Sequence, residues 1–184
     1  MGAGVIPFAW QGGEWQFLFQ RVFSGRKAGY LVDFGGGVGA GESYRSAAAR
    51  EFVEETETMY LAPDLAAVAV TEAAVREQVA RVEALFEATL SGHPDWWSPR
   101  VLPDGRSKPW RTFFIRFDYR AVDEMNRAWA ADAGRRFRKR RELVWLSAGK
   151  LLAIYDREPE RLWKRVRQLS RAVSIVREIQ AGSP

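Results

Sequence analysis

The sequence predicts a layered domain of the α/β or α+β class, with helices packed on a sheet. Strand and helix patterns alternate along the chain, which is typical of such layered folds. The 184 residues are 47% hydrophobic and 28% charged, an ordinary composition for a globular protein. Eight Trp and eleven Phe provide the apolar volume that a core requires. This length predicts one domain covering residues 1–184.

The first third of the chain contains strand patterns, a glycine-rich loop and one helix. Pro7 cannot donate a ladder hydrogen bond, which predicts an edge position for the first strand. Ser43 precedes an alanine-rich helical pattern and is a suitable N-cap. The predicted elements are a strand at 5–10, a hairpin turn at 11–13, a strand at 15–22, an apolar run at 30–32, a glycine-rich loop at 35–41 and a helix at 43–56.

The remainder contains one strong amphipathic helix and one strongly alternating strand. Apolar residues recur every three or four positions from 72 to 91, and Gly92 ends that pattern. Residues 64–70 fit a strand or a helix equally well. The other predicted elements are a loop rich in Trp and Pro at 92–110, a strand at 111–120, a short helix at 123–130, a strand at 143–146 and a helix at 159–180.

The composition excludes several kinds of chemistry. The chain has no cysteine, so it has no disulfides, thiolate metal sites or cysteine nucleophiles. The N-terminus lacks the features of a signal peptide, and no apolar run is long enough to span a bilayer. We therefore expect a cytoplasmic protein without a membrane partner. The net charge of +5 favours anionic partners such as nucleotides, RNA or acidic lipid without choosing among them.

An acidic cluster near the end of the 43–56 helix is the most informative feature. Glu51, Glu54 and Glu55 share one helix face because they stand at i, i+3 and i+4. Like charges at these spacings cost about 0.2–0.5 kcal/mol per pair. The helix dipole also disfavours anions at this end of the helix. A divalent cation such as Mg²⁺ resolves this conflict, since it seeks several carboxylate oxygens.

Gly36 and Glu42 precede the acidic cluster, and Arg50 stands immediately before it. With these spacings the segment at 36–58 resembles the Nudix box, G-x5-E-x7-R-E-U-x-E-E-x-G-U, in which U is a bulky apolar residue. With these residues in register, a merely solvated acidic face is disfavoured. The resemblance implies an α/β/α sandwich with a mixed sheet, a box at 36–58, a helical insertion at 72–91 and an extra C-terminal helix at 159–180. The matched fixed positions are Gly36, Glu42, Arg50, Glu51, Glu54 and Glu55.

The resemblance also implies the activity and the roles of the box residues. It implies Mg²⁺-dependent hydrolysis, with Mn²⁺ as an alternative, of a diphosphate linkage in a nucleoside diphosphate joined to another moiety. Water attacks phosphorus, and a carboxylate takes its proton. Arg50 and Glu42 are expected to orient the box glutamates. The expected metal ligands are Glu51, Glu54, Glu55 and the backbone carbonyl of Gly36.

Two glutamates are candidates for the general base. Glu51 is the first choice. Glu142 is the second, because it immediately precedes the strand at 143–146, a region from which relatives supply a glutamate. The alternative for Glu142 is an exposed glutamate paired with Arg140 or Arg141.

The sequence departs from the box at its end, where Glu57 replaces the last glycine and Thr58 the last apolar residue. That glycine normally ends the helix in a left-handed conformation, which costs a non-glycine residue about 1 kcal/mol. We therefore expect the helix to run on another turn or to stop differently. Since no matched carboxylate is lost, we expect catalysis to survive.

Other features leave several alternatives open. The basic run at 135–141 either grips phosphates or an RNA backbone, or is a solvated surface. The tryptophans at 96, 97 and 110 either stack on a base or pack on the core or in a homodimer. His93 is expected to be structural. The functional alternatives are a hydrolase of RNA 5′ ends or dinucleoside polyphosphates and a Nudix-fold module that binds nucleotide or RNA without cleaving it; RNA is open but not favoured.

Overall fold

The computed structural model describes residues 1–68, 70–132, 134–138 and 140–184. Over these ranges the chain forms a seven-stranded mixed sheet with helices on both faces. The strands are β1 Gly2–Gln11, β2 Glu14–Val22, β3 Leu31–Val32, β4 Phe34–Gly37, β5 Trp97–Val101, β6 Ser107–Arg116 and β7 Arg141–Ser147. The helices are α1 Tyr44–Glu55, α2 Glu72–Gly92, α3 Asp123–Asp132, α4 Ala148–Arg157, α5 Lys164–Arg167 and α6 Ala172–Ala181.

Strand β1 lies at the centre of the sheet, so the prediction of an edge strand was wrong. It pairs in parallel with β6 on one side, and on the other side antiparallel with β4 at 2–5 and with β2 at 8–11. The Phe117 amide donates to the Phe8 carbonyl over 2.8 Å, so the polar groups of Phe8 face β6. The backbone polar groups of Pro7 therefore face the opposite side of β1. There Pro7 lies between the end of the β4 pairing and the start of the β2 pairing, so its missing N–H leaves no ladder hydrogen bond unmade.

Two apolar cores lie on the two faces of the sheet. One contains Phe34, Phe52 and Trp129 and is covered by α1, α2 and α3. The other contains Phe17 and Phe114 and is covered by α4, α5 and α6. This arrangement confirms the predicted α/β/α sandwich with a mixed sheet. In the parts of the chain that the structure describes, no helix combines the length and apolarity that crossing a membrane requires.

The predicted helix at 159–180 is broken, because two stretches within it pair with strands. The Trp163 amide donates to the Leu31 carbonyl over 2.9 Å, and the Val101 amide donates to the Gln168 carbonyl over 2.9 Å. The result is a 3-10 turn followed by α5 and α6. Helix α4 lies in a region for which no helix was predicted.

Two strands occupy segments that the sequence pattern assigned to loops. Strand β4 lies in the glycine-rich segment, and its Gly35 passes so close to β1 that a Cβ would lie 2.4 Å from the Ala3 carbonyl oxygen. Strand β5 lies in the loop rich in Trp and Pro and pairs with β6. The ambiguous segment forms turns over 64–68, and Ala69 lies outside the described residues.

Candidate active site

Helix α1 brings most of the box residues together. Ser43 caps it by accepting a 3.0 Å hydrogen bond from the Ser46 amide, as predicted. Just before the cap, the Gly39 amide donates to the Glu42 carboxylate over 2.8 Å. The helix ends at Glu55, so the three box glutamates lie in its last two turns.

Arg50 joins the glycine-rich segment to three glutamates. Its guanidinium binds Glu42 through two hydrogen bonds of 2.9 and 3.1 Å. It also donates to Glu51 over 3.0 Å and to Glu54 over 3.1 Å. A further bond of 2.9 Å reaches the Gly37 carbonyl. The hydrogen bond from Arg50 is the main cause that lowers the pKa of Glu42. Arg50 therefore contacts Glu42, Glu51 and Glu54 together, and its orienting role stays a prediction.

Glu51 lies directly against Gly36. A Cβ at Gly36 would stand 2.3 to 2.5 Å from the three atoms of the Glu51 carboxylate, so a side chain at position 36 would displace that carboxylate. Burial is the main cause that raises the pKa of Glu51, while the hydrogen bond and charge of Arg50 act in the opposite direction. Glu55 and Glu54 add to the rise. The site therefore holds a carboxylate whose charged form is disfavoured by its surroundings.

Glu55 turns toward the sheet rather than toward the other two box glutamates. It accepts hydrogen bonds from the Gln20 side-chain amide over 2.6 Å and from the Gly35 backbone amide over 2.8 Å. Arg141 lies 3.5 Å from it and donates to the Gln20 side-chain oxygen. Gln20 and Arg141 were not predicted as site residues. The sequence signal for Gln20 was a polar residue at the end of a strand rich in aromatic residues, and the structure buries it fully.

The oxygens of the box glutamates and of the Gly36 carbonyl are of the type that binds a hard divalent cation, but in this structure they do not point to a common position. Carboxylate and backbone carbonyl oxygens are the ligands that Mg²⁺ prefers. Among the residues that the structure describes, no group of three or more His, Cys, Asp or Glu side chains is arranged to hold a metal ion. Arg50 engages Glu51 and Glu54, while Glu55 is held by the sheet.

The structure does not bring Glu142 to this cluster. Glu142 pairs with Arg21 over 2.9 Å, and not with Arg140 or Arg141 as the alternative expected. The two residues are direct cross-strand partners in the β2–β7 ladder. Because side chains alternate along a strand, Glu142 points to the opposite face from Arg141, which contacts Glu55.

Glu57 ends the helix in the conformation that a glycine would adopt, so the helix does not run on. Glu57 has φ 50° and Thr58 has φ 63°. The Glu57 side chain is only 3% exposed, and its carboxylate accepts hydrogen bonds from the Trp129 indole over 2.8 Å and from the Arg138 amide over 2.7 Å. These contacts attach α3 and the segment after it to the end of α1.

Replacing Glu57 by glycine, the residue that the box has here, is expected to lower the free energy of unfolding by about 2 kcal/mol. Glycine removes about 1 kcal/mol of left-handed strain. It also removes a charged acceptor and leaves the buried Trp129 indole without a partner, which costs more than the strain. Urea denaturation measures the change, with Trp129→Phe in both backgrounds to isolate the hydrogen bond. A more stable glycine variant would show that strain dominates.

The basic run is largely attached to the protein, and Lys139 lies outside the described residues. Arg136 donates to the backbone carbonyls of Leu65 and Val68. The Arg140 guanidinium lies 4.3 Å from the centre of the Phe23 ring. These contacts give two of its arginines partners within the protein, while Arg135, Arg138 and Arg140 are exposed, so a solvated surface stays an open alternative. Binding of RNA by this run stays a prediction.

The three tryptophans also have packing partners. Trp97 lies under the Arg111 guanidinium at 4.6 Å. His93 and Trp96 stack with ring centres 3.6 Å apart. Trp110 lies under Arg165 at 4.2 Å. These contacts favour the packing interpretation of the tryptophans and a structural one for His93.

The mixed sheet with helices on both faces is similar to the fold of solved Nudix hydrolases. The chain has this fold over nearly its whole length. It is similar to an Ap4A hydrolase from C. elegans, with a TM-score of 0.50, 14% identity and coverage of 98% of this chain and 96% of the other. It is also similar to RenU, a Nudix hydrolase from M. smegmatis, with a TM-score of 0.50, 14% identity and coverage of 97% and 87%. No family model and no curated protein matches the sequence.

Proposed function

We propose that this chain is a Mg²⁺-dependent pyrophosphohydrolase that cleaves a diphosphate linkage in a nucleoside diphosphate joined to another moiety. One observation carries the proposal. Arg50 joins Glu42, Glu51 and Glu54 in a single network while the Glu51 carboxylate occupies the space that only glycine at position 36 leaves open. The Nudix fold shared with solved structures also supports the proposal.

In this proposal each box residue has a distinct task. Mg²⁺ would be held by Glu51, Glu54, Glu55 and the Gly36 carbonyl, and when bound it would neutralise the charge of the diphosphate. Glu51 accepts the proton of the attacking water as the general base. Its carboxylate lies against Gly36 and accepts a hydrogen bond from Arg50. Arg50 fixes the orientation of Glu51. Glu54, with 45% of its side chain exposed, is free to rotate away from Arg50 without disturbing the core.

A dinucleoside polyphosphate is the second candidate substrate. The observation that favours it is the fold shared with the Ap4A hydrolase over 98% of this chain. Hydrolysis of RNA 5′ ends is not favoured by any contact around the box. A module that binds nucleotide without cleaving it is the alternative from another class.

The test is product release from ADP-ribose, nucleotide sugars, dinucleoside polyphosphates, nucleoside triphosphates and 5′-triphosphate RNA, in Mg²⁺ and in Mn²⁺. Glu54→Gln is the matched variant, because Glu54 contacts Arg50 at the surface and its loss costs little stability. We expect metal-dependent hydrolysis of one class, strongly reduced in the variant. Mn²⁺ binding is followed in parallel by electron paramagnetic resonance. Tight binding of one compound without hydrolysis, or absence of Mn²⁺ binding, would overturn the proposal.

A further inference from the structure

The two carboxylate oxygens of Glu55 have different surroundings. Oε2 accepts hydrogen bonds from the Gln20 side-chain amide over 2.6 Å and from the Gly35 backbone amide over 2.8 Å. A carboxylate oxygen has two lone-pair sites, so these two donors fill the capacity of Oε2. Oε1 faces the Arg141 guanidinium at 3.5 Å, which is longer than a charge-assisted hydrogen bond of about 2.7–2.9 Å. Oε1 is therefore the oxygen of Glu55 that can bind a cation.

Gln20 contacts both the carboxylate of Glu55 and the cation that faces it. Its side chain is fully buried in β2. Its amide nitrogen donates to Glu55 Oε2 and, over 3.2 Å, to the Asp33 carbonyl, so both N–H groups are used. Its oxygen accepts a hydrogen bond from the Arg141 guanidinium. A reversed amide would direct its N–H groups at a guanidinium and its oxygen at two acceptors, so these contacts fix the orientation of Gln20.

The hydrogen bond to Gln20 holds Arg141 back from Glu55. The same guanidinium nitrogen, Nη1, donates to Gln20 and lies 3.5 Å from Glu55 Oε1. Only 12% of the Arg141 side chain and 15% of the Glu55 side chain are exposed, so their charges are weakly screened. A guanidinium bonded directly to Oε1 would compete with a metal ion for that oxygen. Gln20 gives Arg141 a neutral acceptor instead.

We propose that Gln20 is a positioning residue for Glu55: it fixes one carboxylate oxygen and withholds Arg141 from the other, so that Oε1 stays available to a divalent cation. This inference rests on the proposed function, in which Glu55 is a metal ligand. Groups that hydrogen-bond a ligating carboxylate orient it and strengthen metal binding. A side chain without an amide at position 20 would lose both effects of Gln20 at once.

The test measures binding of Mn²⁺ to the full chain by electron paramagnetic resonance, without substrate. Gln20→Met keeps the length of the side chain and is expected to weaken binding about 10–100-fold, the usual effect of removing a partner of a metal ligand. In a Glu55→Gln background the same exchange should cause no further loss, because Gln20 acts through Glu55. Gln16→Met is the matched control, since Gln16 lies in the same strand and its amide bonds Glu14 at the surface.

Arg141→Met provides a second measurement of opposite sign, which remains informative if Gln20→Met fails to fold. It removes a positive charge beside Oε1 and leaves the two donors to Oε2 in place, so Mn²⁺ should bind several-fold more tightly. Weaker binding in Arg141→Met or unchanged affinity in Gln20→Met would overturn the inference. An equal loss from Gln20→Met with and without Glu55 would also overturn it, because it would indicate a general effect on the fold.

These measurements separate the inference from the proposed function. If the variants change Mn²⁺ affinity as expected but no compound is hydrolysed, the positioning role stands and the proposed function fails. If the chain is an active hydrolase and Gln20→Met binds Mn²⁺ normally, the proposed function stands and the positioning role fails. Absence of Mn²⁺ binding by the native chain would overturn both.

Discussion

Glu51→Gln is expected to lower kcat by about 10²–10⁴-fold, the usual contribution of a positioned general base. Glutamine keeps the shape of the side chain beside Gly36 and an oxygen for the Arg50 hydrogen bond, so the fold should persist. It cannot accept the proton of the attacking water. Steady-state kinetics on the best substrate of the panel measure the loss, and thermal denaturation verifies that the variant is folded.

Two further glutamates make this result interpretable. Glu72→Gln is the matched control, because Glu72 is 93% exposed and pairs with Arg76 on the helix surface. Glu142→Gln tests the second candidate base, and its kcat should stay near the native value because Glu142 pairs with Arg21 on the other face of the sheet. A decrease in kcat in Glu142→Gln as large as that in Glu51→Gln would instead identify Glu142, in β7, as the general base.

Asp33→Asn is expected to destabilise the protein by about 3–5 kcal/mol, because it leaves the Arg165 guanidinium buried without a counter-charge. Asp33 is fully buried, and its other carboxylate oxygen accepts a 3.1 Å hydrogen bond from the Thr112 hydroxyl. The pair connects β4 and the C-terminal segment, since Arg165 also donates to the Gly35 carbonyl over 3.3 Å. The effect should therefore appear in global unfolding rather than in local fraying.

The measurement is a double-mutant cycle in urea with Asp33→Asn, Arg165→Met and the two combined. We expect the double variant to be less destabilised than the sum of the single variants, because it leaves no uncompensated charge. Arg161→Met is the control, as Arg161 forms an exposed pair with Glu158. Single variants that lose no more than this control would show that the Asp33–Arg165 pair is well solvated in solution.

Local patterns predicted the helix that carries the box glutamates, and they predicted the fold class. Ser43 and the alanine-rich repeat defined α1, and the spacing of Glu51, Glu54 and Glu55 defined its acidic face. Contacts between distant segments were beyond this reasoning. The partner of Glu55 is Gln20, 35 residues away, and the partner of Asp33 is Arg165, 132 residues away.

The errors in predicted elements have the same origin. Pro7 was taken to exclude a central strand. It is tolerated in the central strand β1 because it lies between the residues that pair with β4 and those that pair with β2. The helix predicted at 159–180 has the correct apolar spacing, but its backbone pairs with Leu31 and Val101 at two places. In each case tertiary pairing overrode a local preference that the sequence expressed correctly.

The attachment of Glu57 to Trp129 has a consequence for how this chain can vary. With glycine at position 57, the Trp129 indole loses its acceptor, and with a residue other than tryptophan at 129, the Glu57 carboxylate loses one of its two donors. Either single exchange is therefore worse than both together. Substitutions at the two positions should be accepted as a pair, and homologues with glycine at 57 should carry a side chain without a donor at 129.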